Sequence, residues 1–64
     1  MRLQEFWSRL EGQFGSMRAQ SMARDHVFAE LGGRSAVDAI DAGISVRKVW
    51  LAICEAYEVP PKGR

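Results

Sequence analysis

The chain has 64 residues, which allow one domain at most, and a chain this short buries only about 60% of its unfolded surface. Nine basic and eight acidic residues give a net charge of +1, without the broad basic excess typical of nucleic-acid-binding domains. The single Cys54 excludes an internal disulfide, and no apolar run approaches the roughly 20 residues that span a bilayer, so we expect a cytoplasmic protein without membrane association.

Two amphipathic helices are predicted in the first half of the chain. The first covers residues 3–14 and ends at Gly15, because its apolar residues follow helical spacing; they are Leu3, Phe6, Trp7, Leu10 and Phe14. The second is predicted over residues 16–31, with Ser16 as its N-cap and the pair Gly32-Gly33 as its end. Its face is less regular and consists of Ala19, Met22, Ala23, His26, Val27 and Leu31, with Phe28 beside them.

Two shorter helices are predicted in the second half. Ser35 is the expected N-cap of a third helix over residues 36–42, with Val37 and Ile40 facing the core and Gly43 at its end. Ser45 is the expected N-cap of a fourth helix over residues 46–57, because the most regular apolar stripe of the chain follows it; the stripe consists of Val46, Val49, Trp50, Ile53, Cys54 and Tyr57.

The predicted elements indicate an all-α fold, a compact bundle of four short helices joined by short connections and without strands. Residues 1–59 are expected to form one helical domain, and residues 60–64 a flexible C-terminal tail. We expect Trp7 and Trp50 to be neighbours in the interior, because burial of the two clearest stripes excludes water from both.

Short motifs along the whole chain resemble a known family. They are Met1-Arg2-Leu3, Glu5-Phe6-Trp7, Phe14-Gly15, Asp25-His26-Val27, Leu31-Gly32-Gly33-Arg34, Gly43, Val49-Trp50, Cys54 and Val59-Pro60. Their order and spacing are similar to those of the short actinobacterial proteins of domain-of-unknown-function family 3046. The resemblance implies a small stand-alone cytoplasmic protein, often encoded near the recombinase gene and its regulator, with no assigned activity, cofactor or catalytic residue.

The third and fourth helices are predicted to form a helix-turn-helix-like corner. Small or apolar residues occupy the places that such a corner requires, namely Ala39, Gly43, Ile44 and Val49. However, Asp38 stands where these motifs bury an aliphatic residue, and Leu51 stands where a polar residue is expected. On a DNA-binding interpretation Arg47 and Lys48 would contact phosphates or base edges; on a structural one they are solvated charges.

The pair Asp25-His26 is the one pairing that suggests catalytic chemistry. Adjacent helical residues point about 100° apart, so the two side chains do not share a face. We expect His26 to pack and form one hydrogen bond, and Asp25 to accept from a loop N–H or pair with an arginine. A general base would also need a nucleophile or a substrate pocket. One His and one Cys are too few for a closed zinc site, so no metal site is predicted. No catalytic or cofactor site is predicted either.

Arg34 directly follows the predicted Gly32-Gly33 turn and has two interpretations. The N–H groups of a Gly-Gly turn, together with the guanidinium, could hold an anion. We favour a simpler arrangement, in which the turn ends a helix and Arg34 pairs with Asp38 or Asp41.

These observations favour a non-enzymatic protein-interaction module. Its partner is expected to be an unidentified protein, and the small core makes a homodimer attractive. The alternative is a helix-turn-helix-type DNA-binding protein that uses the 46–57 helix. In either case Arg34, Arg47 and Lys48 are the candidate contact residues for the partner or the nucleic acid.

Overall fold

The computed structural model describes residues 1–60 and 62. This part of the chain is mostly helical and contains four α-helices: α1 (Leu3–Phe14), α2 (Ser16–Asp25), α3 (Ala36–Asp41) and α4 (Val46–Ala56). Two short strands, β1 (Val27–Phe28) and β2 (Arg34–Ser35), lie between α2 and α3 and flank a 3₁₀ turn at Ala29–Leu31.

The bounds of three helices agree closely with the prediction. Helix α1 has the predicted bounds, and α3 and α4 each end one residue before the predicted end. The side chain of Ser35 accepts a hydrogen bond from the backbone N–H of Asp38, and Ser45 accepts one from Lys48, each at 3.2 Å. The predicted N-caps at Ser35 and Ser45 are therefore confirmed. The predicted cap at Ser16 is wrong, because Gly15 is the N-cap of α2 and no side chain bonds there.

The prediction of a second helix reaching residue 31, in a protein without strands, is wrong. Helix α2 ends at Asp25, and His26 adopts an extended backbone with φ −78° and ψ 127°. The following residues form an antiparallel pair of strands, in which Val27 pairs with Ser35 and Phe28 with Arg34. The fold is therefore mostly helical with a small sheet rather than all-α.

The Gly32-Gly33 pair makes this reversal of the chain possible. Both glycines have positive φ, 72° and 76°, which side-chain-bearing residues rarely adopt. The N–H of Gly33 donates to the carbonyl of Phe28, and the N–H of Gly32 donates to that of Ala29, both at 3.0 Å. The glycines thus end a 3₁₀ turn inside a hairpin, and not a long helix.

Phe6 lies at the centre of the aromatic packing in the core. Its ring contacts Trp50 edge-on at 6.3 Å between centroids and Trp7 edge-on at 5.5 Å. Trp50 is buried but Trp7 is only half-buried, so the expected interior position is confirmed for Trp50 alone. Phe6 contacts both indoles. Buried apolar side chains come from every α-helix, from β1, from the 3₁₀ turn and from the segment after α4; they are Phe6, Leu10, Ala19, Met22, Ala23, Phe28, Leu31, Ala36, Ala39, Val49, Trp50, Ala52, Ile53, Cys54 and Val59.

Several residues expected in the core lie nearer the surface. On α3 the alanines Ala36 and Ala39 are buried, whereas Val37 and Ile40 are only half-buried. His26 and Val27 are exposed, because the end of α2 at Asp25 removes them from its buried face. Leu3, at the start of α1, keeps 48% of its surface accessible.

Two further expectations concern the ends of the chain and the membrane. The predicted tail at 60–64 includes positions 61, 63 and 64, which lie outside the described residues, so it stays a prediction. Among the described helices, none combines the length and the apolar character needed to cross a bilayer.

Candidate interaction surfaces

The turn between α3 and α4 has a fixed geometry that sets where α4 begins. Gly43 adopts φ 92°, and its N–H donates to the carbonyl of Ile40 at 3.1 Å. The next N–H, that of Ile44, donates to the carbonyl of Ala39 at 3.0 Å. This pair of bonds is a Schellman motif, which needs positive φ at its central position and therefore favours glycine there.

The outward face of α4 carries basic residues at its start and an acidic residue near its end. Arg47 and Lys48 are exposed in the first turn, and Glu55 is exposed in the last. Leu51 lies between them, with 39% of its surface accessible. The helix thus presents a mixed surface, in contrast to the uniformly basic face expected of a helix in a DNA groove.

An open cleft of about 190 Å³ lies between the 3₁₀ turn and α4, and we call it the α4 cleft. Its floor is apolar and its rim is charged; the lining residues are Glu30, Leu31, Lys48, Leu51, Ala52 and Glu55. Four of these six follow helical spacing along one side of α4. The cleft therefore presents one stripe of α4 to the outside.

A second cleft of about 110 Å³ lies between α1 and α3, and we call it the α1–α3 groove. It is lined by Leu3, Trp7, Val37, Ile40 and Asp41. None of the four apolar residues is fully buried, and one acidic residue stands at the rim. The groove therefore combines exposed and half-buried apolar side chains with one acidic group.

The side chains of Asp25 and His26 contact different partners. The carboxylate of Asp25 accepts a hydrogen bond from the hydroxyl of Ser21 at 3.3 Å. The ring of His26 packs against Phe28 at 4.3 Å between centroids, and its Nδ1 lies 2.9 Å from the hydroxyl of Tyr57. The two side chains thus have separate structural partners, and neither lines the α4 cleft or the α1–α3 groove.

The hydrogen bond between Tyr57 and His26 joins distant parts of the chain. It connects the end of α4 to the segment between α2 and β1. The hydroxyl of Tyr57 donates when Nδ1 carries no proton and accepts when Nδ1 carries one. The ring of Tyr57 also contacts Phe14 edge-on at 5.2 Å. Tyr57 therefore connects the end of α4 both to His26 and to α1.

Arg34 folds back onto its own hairpin. Its Nη1 donates to the carbonyl of Leu31 at 3.2 Å, and a Cβ placed on Gly32 would lie only 2.7 Å from that nitrogen. This bond to a carbonyl replaces the ion pair with Asp38 or Asp41 that we favoured from the sequence. Of the three predicted contact residues, only Lys48 lines one of the two clefts.

In the part of the chain that the structure describes, no group of three or more His, Cys, Asp or Glu side chains is placed to hold a metal ion. Cys54 is fully buried in the core, as expected for a residue on the apolar stripe of α4.

Sequence reasoning identified Lys48 but missed most of the other residues that border the two clefts. Glu30 was assigned to a long helix, and Leu3 and Trp7 were assigned to the interior. One signal was available for the α4 cleft, because Leu51 is apolar at a position where a helix-turn-helix exposes a polar side chain. The other wall of each cleft depends on which elements pack together, and periodicity within one helix does not show this.

Comparison with known proteins gives one relative and one family. The chain is 44% identical over 36 residues to a protein of Mycobacterium tuberculosis named "Putative envelope-preserving system protein Rv2742c". The match covers 56% of this chain but only 13% of that relative. No solved structure matches the chain. The profile of the family described as "Protein of unknown function (DUF3046)" matches residues 1–62. The chain therefore belongs to the DUF3046 family.

Proposed function

We propose that this protein is a non-enzymatic interaction module that binds a segment of another protein in the α1–α3 groove. The observation that carries the proposal is the apolar surface at this groove, where Leu3 keeps 48% of its area accessible beside the half-buried Trp7. Tryptophan is enriched among the residues that dominate binding energy at protein interfaces. A half-buried indole in a groove can be covered further without rearrangement of the backbone.

The size and charge of the groove define the kind of partner. Its volume of about 110 Å³ is far below the roughly 300–1,000 Å³ of small-molecule pockets, so it suits one or two apolar side chains. Asp41 stands at its rim, and Asp38 is also exposed on α3. We therefore expect a partner segment that carries an apolar anchor with lysine or arginine next to it.

The relative from Mycobacterium tuberculosis also favours a module. Part of this sequence recurs there within a much longer chain, since the match covers 13% of that protein. A short unit that occurs inside a larger protein is more typical of an interaction module than of an enzyme with its own active site.

Affinity capture from nuclease-treated lysate of the native cell tests this function. We expect the wild type to retain a protein partner and Leu3→Asp to lose it, because a carboxylate in the groove opposes burial of an apolar anchor. Met17→Asp is the matched control, since Met17 is 87% exposed on α2 and does not line the groove. Equal retention of the partner by both variants would contradict the proposal. So would a partner that the wild type captures only from lysate without nuclease.

The alternative function is DNA binding through a helix-turn-helix formed by α3 and α4. The observation in its favour is the Schellman turn at Gly43, which leads into a helix whose first turn exposes Arg47 and Lys48. Glu30 and Glu55 border the same face and would repel phosphates.

Salt-dependent binding to duplex DNA tests the alternative. If it is correct, affinity falls steeply as salt increases, and the double variant Arg47→Ala, Lys48→Ala binds much more weakly than the wild type. Arg18→Ala on α2 is the control for loss of a single exposed charge. Absence of binding at low salt would remove DNA binding from consideration.

A further inference from the structure

The walls of the α1–α3 groove are two helical ridges. Leu3 and Trp7 stand one turn apart on α1, and Val37 and Asp41 stand one turn apart on α3, with Ile40 beside them. Side chains four residues apart form the ridges by which helices pack, because a ridge of one helix fits between the ridges of its neighbours. The groove between the two ridges therefore suits the ridge of a further helix.

Among the described residues, the groove has no sheet edge at which an extended chain could pair. Its lining residues all belong to α1 or α3, and neither strand of the hairpin lines it. Away from their ends, the two helices bond their backbone N–H and C=O groups internally. An extended segment would therefore bury its own polar backbone groups against apolar walls without partners, which is costly. A helix satisfies its own backbone, so the groove favours a helical segment.

Two carboxylates on the α3 side of the groove lack a partner within the described chain. Asp41 lines the groove in the last turn of α3, where no basic residue accompanies it, and Asp38 is exposed three residues before it. Neither side chain forms an ion pair or a hydrogen bond with a described residue. The helix dipole is negative at this end, and the two like charges are neighbours on the helix surface. A cation from outside would therefore stabilise this end of α3.

We propose that the segment bound in the α1–α3 groove is a basic amphipathic helix. Two of its apolar side chains, one turn apart, enter the groove between the α1 and α3 ridges. A lysine or arginine beside them on the helix pairs with Asp41, close to Asp38. The proposal rests on the function proposed above for the same groove, and it adds the conformation and the spacing of the bound segment.

The size of the groove sets the strength of binding. Its volume of about 110 Å³ suits at most two apolar side chains, and Trp7 is already half-buried by the chain itself. The area that becomes buried is therefore well below the roughly 800 Å² per partner of a standard interface. We expect a Kd in the micromolar range or weaker for an isolated helix.

Synthetic peptides of about 15 residues test the conformation of the bound segment. The helical probe carries two leucines four residues apart, each followed by a lysine, in a background of alanine and glutamine. The proline control replaces the residue midway between the leucines with proline, which breaks the helix. The glutamate control replaces both lysines with glutamate. Binding to the full chain is followed by acrylamide quenching of tryptophan emission, which reports on the half-buried Trp7 because Trp50 is 1% exposed.

We expect the helical probe to shield Trp7 from acrylamide. Each control should bind at least about fivefold more weakly. The proline control loses the helix that places both leucines on one side, and the glutamate control brings like charges to Asp41 and Asp38. The variant Trp7→Phe should show no change in quenching with the helical probe, which assigns the signal to the groove.

Charge exchange at Asp41 tests the proposed ion pair. Asp41→Lys should weaken binding of the helical probe about fivefold and strengthen binding of the glutamate control in return. A lysine in the last turn of α3 suits the helix dipole, so this variant should melt no lower than the wild type. Glu30→Lys is the matched control, because Glu30 is exposed and does not line the groove, and it should leave both affinities unchanged.

Three results would overturn the proposal. They are equal binding of the helical probe and the proline control, equal binding of the helical probe and the glutamate control, and no shielding of Trp7 by the helical probe at millimolar concentration. None of them removes the proposed function, because a partner that the wild type captures and Leu3→Asp loses would still occupy the groove in another form. Conversely, a shielded Trp7 without any captured partner would remove that function and support the preference for a basic helix.

Discussion

At the scale of single residues, Glu58 is the main backbone exception in the described part of the chain. It is the one residue there, apart from glycines, with positive φ, at 54°. Its N–H donates to the carbonyl of Glu55 at 3.4 Å, and the next N–H, of Val59, donates to that of Cys54 at 2.9 Å. This is the Schellman arrangement again, with glutamate at the position that favours glycine.

We expect Glu58→Gly to stabilise the protein by about 1 kcal/mol, because glycine relieves the strain of a left-handed backbone. The free energy of unfolding is measured by urea denaturation. Ala56→Gly is the matched control, since it places glycine inside the last turn of α4 and should destabilise by up to about 1 kcal/mol. Destabilisation by Glu58→Gly would show that the side chain contributes more than the strain removes.

At the scale of elements, the helix starts differ in a way that mutation can detect. Ser45 and Ser35 cap α4 and α3 through their hydroxyls, whereas Ser16 begins α2 without a side-chain cap bond. We expect Ser45→Ala to destabilise by about 1 kcal/mol, because one N–H at the start of α4 loses its partner.

The control for this prediction is Ser16→Ala, which should change the free energy of unfolding by less than about 0.5 kcal/mol. Thermal melts of the two variants at one protein concentration provide the comparison. Equal effects would mean that the hydroxyl of Ser45 contributes through some interaction other than the cap.

The same elements show which parts of the fold are encoded locally. Gly15 after α1, Ser35 and Gly43 around α3, and Ser45 before α4 predict these helix bounds, because caps and stops act on neighbouring residues. The end of α2 has no such signal, since Arg24, Asp25 and His26 are all compatible with a helix. The hairpin depends on pairing of Val27 with Ser35 across the 3₁₀ turn, and two-residue strands are too short for alternation to be recognised.

At the scale of the whole molecule, stability depends on a small number of large side chains. Trp50 is 1% exposed and packs on Phe6, which joins α4 to α1. Truncation of a buried aromatic residue costs roughly 3–5 kcal/mol, and a chain of this size has roughly 3–10 kcal/mol in total. The loss of one core tryptophan is therefore comparable with the stability of the whole domain.

We accordingly expect Trp50→Ala to leave the protein largely unfolded at 37 °C, as measured by loss of the helical circular-dichroism signal. Leu51→Ala is the control from the adjacent position, because Leu51 is 39% exposed and its truncation should cost much less. A cooperative melt of Trp50→Ala close to that of the wild type would show that the core does not depend on this contact.

Both candidate clefts form between elements that are separate in the sequence, which explains why the sequence predicted them poorly. Lys48 was identified as a contact residue from its place on α4, but the cleft that it borders exists only because the 3₁₀ turn packs nearby. The α1–α3 groove likewise joins Leu3 to Ile40, which are far apart in the chain.

Ser35 belongs to two elements at once. It pairs with Val27 as part of β2, and its hydroxyl caps α3, so no linker separates the hairpin from the helix. A hinge cannot operate at this junction, because rotation of the hairpin would break the first turn of α3. The amide of Asp38 should therefore exchange with solvent only in openings that also release the strands, and a ligand that clamps the hairpin would slow both together.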